Sequence, residues 1–218
     1  MRFKGLSAIL IIGLICLVVS GCGQDGISTL QKKAGRGDAK AQFDLGEAYH
    51  KGQGVPQDSK EAVKWLQLAA EQGQGEAQSK LGGMYASGEF VPQDSKEGVK
   101  WLRLAAEQGQ VEAQRKLGVM YTSGEVVPQD DKEAVKWLRL AAEQGDAKAQ
   151  LRLGIAYYFG YGVPQDDTRA YAWVSLAAAQ RQETAAGLRS ALKERMPASQ
   201  IVDGQKLSRE YAKKYIRK

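Results

Sequence analysis

The chain has 218 residues, enough for one domain of ordinary size, and its 43% hydrophobic and 26% charged content excludes a disordered polymer. A formal net charge of +6 invites a nucleic-acid reading, but Arg2 and Lys4 belong to an N-terminal segment with signal character. Of the two cysteines, Cys16 lies in that segment and Cys22 at its edge, so no pair remains for a disulfide and the fold must rely on its core.

Arg2 and Lys4 precede an apolar run from Leu6 to Val19. Its 14 residues suit the apolar core of a secretion signal and fall short of the roughly 20 residues that a membrane span needs. The run ends in Val19-Ser20-Gly21-Cys22, which resembles a bacterial lipobox. That resemblance implies a cleaved signal over 1–21 and a diacylated Cys22, with 22–29 as the lipidated start and tether. Each buried methylene contributes about 0.8 kcal/mol, so two or three chains such as palmitate make a lasting anchor. By analogy with such lipoproteins, in which an Asp after the cysteine favours inner-membrane retention, the resemblance with Gly23 at that position implies the outer membrane, with the protein facing the periplasm.

From residue 38 the chain repeats itself every 36 residues. Trp65, Trp101, Trp137 and Trp173 keep the interval, as do Tyr49, Tyr85, Tyr121 and Tyr157. Gln42, Leu45, Gly46 and Pro56 recur on the same period. Four full copies result, 38–73, 74–109, 110–145 and 146–181. Leu30–Gly37 matches the end of a copy, with Lys32 and Lys33 replacing apolar residues, and reads as a half-repeat with a solvated outer side.

Each copy predicts two helices. Ala41, Leu45 and Tyr49 form an i, i+4, i+8 apolar stripe. Gly52 and Gly54 end that helix and "VPQD" makes the turn. Asp58 with Glu61 has capping-box spacing at the start of the second helix, as have Asp94 with Glu97 and Asp130 with Glu133. Ala62, Trp65, Leu66 and Ala69 make its buried face, and Gly73 closes it. Gly46 and its equivalents sit mid-helix at a cost of up to about 1 kcal/mol relative to Ala, which predicts a close approach of two helix backbones. The second and third copies lose the second turn glycine ("SGEFVPQD", "SGEVVPQD"). In the fourth, Arg169 replaces the capping-box Glu and Arg181 the closing Gly. Residues 182–218 break the period but keep helical patterning, with nine Lys/Arg against four Asp/Glu, whereas Gly35–Arg181 carries eighteen against twenty. The excess positive charge is terminal.

The 36-residue period with "LGxxY", "GxGVPQD" and "A/GVKWLxLAAEQG" closely resembles the Sel-one-like repeat (SLR) family, relatives of the tetratricopeptide repeats. The resemblance implies an all-α, right-handed α-solenoid of helix-turn-helix units, with 182–218 as capping helices. It also implies an adaptor for a protein or peptide partner, bound on the concave face that the first helices line. The non-periodic row there is Asp44, Lys80, Lys116 and Arg152, whose three basic members in register suit an acidic extended partner. On the second helices Lys64, Lys100 and Lys136, with Arg103 and Arg139, read as a salt-bridged outer face, the arginines having i+4 partners in Glu107 and Glu143.

Residue types that carry chemistry are sparse. His50 is the only histidine and has no cysteine or carboxylate cluster at ligand spacing, so no metal is expected. The "GQGV" and "GYGV" glycines lack the Gly-Lys-Ser/Thr of a phosphate loop. "SALK", Ser190–Lys193, fits the Ser-x-x-K form of penicillin-recognising enzymes without the companion elements. No catalytic residue, cofactor or nucleic-acid partner is expected. The leading expectation is a lipid-anchored, non-enzymatic envelope scaffold; a cell-wall enzyme or binder and a purely structural envelope protein are the alternatives.

Overall fold

A computed structural model describes residues 26–125 and 127–215. The signal segment and Cys22 lie outside the described residues, which contain eleven helices and no strand. The helices are α1 (26–35), α2 (Ala39–Lys51), α3 (Ser59–Glu71), α4 (Gly75–Ser87), α5 (Ser95–Glu107) and α6 (Val111–Ser123). They continue with α7 (Asp131–Glu143), α8 (Ala147–Phe159), α9 (Asp167–Ala179), α10 (Glu183–Arg195) and α11 (Ala198–Tyr215). No helix among the described residues is long and apolar enough to cross a membrane. The described residues divide into two compact units, with the boundary between Leu81 and Gly82 within α4.

In the first unit the helix boundaries follow from capping. Asp38 accepts from the Ala41 N–H at 2.7 Å, and Gly52 closes α2 in the left-handed region. Asp58 accepts from the N–H groups of Lys60 and Glu61, but the reciprocal half of the expected capping box is absent. The Asp58 N–H donates instead to Tyr49 O, and Glu61 accepts from Trp65 Nε1 at 2.9 Å and Lys64 Nζ at 2.9 Å. Packing a Trp beside the carboxylate gave it a better partner than an N–H already satisfied by the preceding helix. At the end of α3 the Gly73 N–H reaches Ala70 O and the Gln74 N–H reaches Ala69 O, with Gly73 at φ +85°. The predicted close approach is present: a β-carbon at Gly46 would stand 2.8 Å from Leu66 Cγ. Ala34, Ala41 and Leu45 form a buried cluster against which Leu30, Tyr49 and Trp65 pack.

The second unit repeats this construction. A β-carbon at Gly118 would meet Leu138 Cγ at 2.5 Å, and one at Gly154 would meet Val174 Cγ2 at 2.5 Å. Trp137 packs on Ala113 and Leu117 of α6 and on Leu102, Ala105 and Ala106 of α5. Trp65 likewise packs on a cluster that joins its own repeat's first helix to the helix before it. At the end of the stack α11 lies on α9. Trp173, 2% exposed, stacks with Tyr211 (ring centroids 4.5 Å apart) and Tyr215 (5.8 Å). Arg181, standing where other copies have Gly, still takes φ +63°, and the Gln182 N–H still reaches Ala177 O.

The periodic glutamines explain how repeats are stitched. Gln114 Nε2 donates to Ala106 O at 3.0 Å, a carbonyl at the end of the previous helix that also accepts from the Gly109 N–H. Its Oε1 accepts from Gln144 Nε2 at 2.8 Å. Gln150 does the same with Ala142 O (3.1 Å) and Gln180 (2.9 Å), and Gln42 with Ala34 O (3.1 Å) and Gln72 (2.6 Å). These buried amides thus have partners at both ends, as burial of a polar group requires.

Candidate functional site

The row of first-helix residues singled out in the sequence has four different local settings. Asp44 pairs with Lys40 at 3.1 Å, one turn away on α2. Lys80 reaches Glu47 at 3.1 Å, and Glu47 also pairs with Lys51. Burial by itself would raise the Glu47 carboxyl, but hydrogen bonds from Lys51 and Lys80 outweigh it and hold the group below its ordinary value. In the second unit Lys116 pairs with Glu112 at 2.9 Å, its ammonium resting over the bare backbone of Gly83. Arg152 is exposed and makes no salt bridge among the described residues. The row is thus largely neutralised by its own carboxylates, and Arg152 is its open cation.

Arg152 lines a cavity of about 60 Å³ in the second unit. Ala134, Val135 and Leu138 of α7 line it, with Thr122 of α6 and Ile155 and Ala156 of α8. Asp131 and Tyr161 complete the lining. Tyr161 belongs to the turn after α8. A β-carbon at Gly162, φ +66°, would fall 2.1 Å from Asp131 O, so only glycine lets this turn lie flat on the start of α7. That contact fixes Tyr161, 49% exposed, in a stack with Phe159, 56% exposed, at 5.3 Å between ring centroids. Tyr158 meets Phe159 edge-on at 4.7 Å and carries the Arg195 guanidinium 4.2 Å over its ring.

This aromatic patch is absent from the sequence-derived site. Its signal was present: Phe159 replaces Lys51, Ser87 and Ser123 of the other copies, and Tyr161 replaces Gln53, Glu89 and Glu125. Ile155 likewise stands where the others have Glu47, Gly83 and Val119.

The second-helix arginines also differ from expectation. Arg103 donates to the Tyr121 hydroxyl at 2.6 Å and Arg139 to the Tyr157 hydroxyl at 2.8 Å, rather than to Glu107 and Glu143. A phenol presented by the neighbouring helix orders the guanidinium where an exposed i+4 pair is worth only a few tenths of a kcal/mol. Lys64, Lys100 and Lys136 do pair with Glu61, Glu97 and Glu133, and each lies over its adjacent tryptophan. Ser190 is exposed on α10 and donates to Ala186 O at 3.2 Å. Among the described residues no group of His, Cys, Asp or Glu is arranged to hold a metal.

Comparison with known proteins places this architecture. The Sel1 repeat profile matches 39–74, 75–110, 111–146 and 147–181, one residue out of step with the copies read from the sequence. A protective antigen of uropathogenic Escherichia coli strains, displaying an SLR fold, is 34% identical with a TM-score of 0.78. That match covers 85% of this chain and 40% of the antigen. A Sel1 repeat protein from Oxalobacter formigenes is 39% identical with a TM-score of 0.72, over 78% of this chain and 49% of that one. The chain therefore spans less than half the length of either relative. No curated protein is matched. Sel1-repeat solenoids are commonly non-catalytic scaffolds for protein interaction. Four consecutive matches over two-helix units of the expected period, and two solved relatives above 30% identity, establish that this chain belongs to the Sel1 repeat family.

Proposed function

We propose that this protein is a lipid-anchored scaffold of the bacterial envelope, held in the outer membrane through Cys22 and binding a protein or peptide partner on its first-helix face. The supporting observation is the division of labour within the repeat. Periodic residues are consumed by packing and by the glutamine stitches, whereas the departures at exposed positions gather around Arg152, Phe159 and Tyr161. A cluster of exposed aromatics beside an open cation is the composition of a contact surface. The basic start, apolar run and Ser20-Gly21-Cys22 support export and lipidation, and the naming of one relative as a protective antigen fits presentation at the envelope.

Two measurements test this. Labelling of growing cells with radioactive palmitate is expected to mark the wild-type protein and to fail in Cys22→Ala; label that persisted would remove the anchor. Affinity capture from envelope extracts is expected to retain a defined partner at stoichiometric yield. Recovery of none would leave only a structural role.

A further inference from the structure

The cavity between α6, α7 and α8 has a size, lining and rim that select a ligand. Its 60 Å³ exceeds the roughly 15 Å³ that admits one water and is well below the about 150 Å³ that accepts benzene. A branched aliphatic side chain fits between those limits. Val135, Leu138, Ile155 and Ala156 offer it an apolar lining, and the fixed Tyr161 stands beside it. Arg152 stands at the same cavity as the one member of its row without an intramolecular carboxylate.

We propose that this cavity anchors an extended peptide segment bearing an aliphatic side chain and, two residues along, a side-chain carboxylate. The inference rests on the scaffold reading above and names the partner's chemistry. In an extended chain, residues two apart point to the same side at about 7 Å, so the aliphatic group enters the cavity while the carboxylate meets the Arg152 guanidinium. A chain-terminal carboxylate is the poorer match, because such groups are held by nests of free backbone N–H groups. Here the N–H groups of Gly160 and Tyr161 are both committed to Ala156 O. The corresponding positions of the first copy offer an acidic residue, Glu47, in place of Ile155, and Lys80 already occupies it.

The test uses the full chain in detergent and the probe N-acetyl-Gly-photoleucine-Ser-Asp-Gly-amide, with cross-links mapped by mass spectrometry. Labelling is expected at Val135, Leu138 or Ile155. It should fall about threefold to fivefold when Asn replaces the probe's Asp, or in Arg152→Glu, the worth of a partly exposed ion pair. Arg152 is exposed, and circular dichroism checks that the variant keeps its fold. Labelling elsewhere, or labelling indifferent to both changes, overturns the proposal. Capture of the envelope partner is read in parallel. A partner retained equally by wild type and Arg152→Glu, with the cavity unlabelled, sinks the anchor and leaves the scaffold. No captured partner sinks the scaffold reading itself.

Discussion

The first and fourth repeats share a frame and differ in what they do with the surface that the frame leaves over. Both bury a leucine (Leu45, Leu153), both bring two helices together at a glycine (Gly46, Gly154), and both stitch with a glutamine (Gln42, Gln150). On the exposed side the first repeat is closed by ion pairs, Lys40 to Asp44 and Glu47 to Lys51 and Lys80. The fourth offers Arg152, Ile155 and a stacked aromatic pair instead. Architecture is therefore specified by residues that stay the same between copies, and the proposed recognition is distinguished by ones that change, Arg152, Ile155 and Tyr161.

Perturbing equivalent positions sharpens the comparison. The largest effect is expected at the tryptophans. Trp173 is closed over by Tyr211 and Tyr215 whereas Trp65 is half-buried, so Trp173→Ala should cost about 3–5 kcal/mol and Trp65→Ala clearly less. Urea unfolding followed by circular dichroism measures both, and equal losses would show that α11 adds nothing to the fourth repeat. Next comes the stitch: Gln150→Leu removes the bonds to Ala142 O and Gln180 Nε2, each of which keeps a second partner at Gly145, and should cost about 0.5–1.5 kcal/mol in the same assay. The smallest effect is electrostatic and belongs to the first repeat. Glu47 titrates below its ordinary value when folded, so its contribution is present above pH 4.5 and is lost as pH falls through the lowered value. Glu47→Gln should therefore flatten the acid side of the melting-temperature profile, while Arg152→Glu should not.

The repeat frame was legible because burial imposes a period, and a period survives in sequence. Helix ends were legible for a related reason: Asp58 and Gly73 act on backbone groups within a few residues of themselves. Partners set by packing were not. Arg103 has Glu107 four residues away, yet it takes the hydroxyl of Tyr121, eighteen residues along, because the fold brings α6 against α5. Gln42 and its equivalents could be counted but not understood until the last-turn carbonyl of the preceding helix lay beside them. Phe159 and Tyr161 were masked by the drift expected where a stack ends, although their polar-to-aromatic replacement was visible between copies.

In the first and third copies the tryptophan and glutamine face backward, onto the helices that precede them. A copy thus brings the adhesive for its predecessor and leaves at its own end a carbonyl that suits its successor. Duplicating or deleting a whole 36-residue segment creates no unfamiliar junction. Length in such a chain is open to change by simple recombination, while the terminal copy, sealed by α10 and α11, stays fixed and free to diverge. The departures proposed to carry binding, Arg152, Ile155 and Tyr161, therefore reside in the one repeat that lengthening the array would not need to copy.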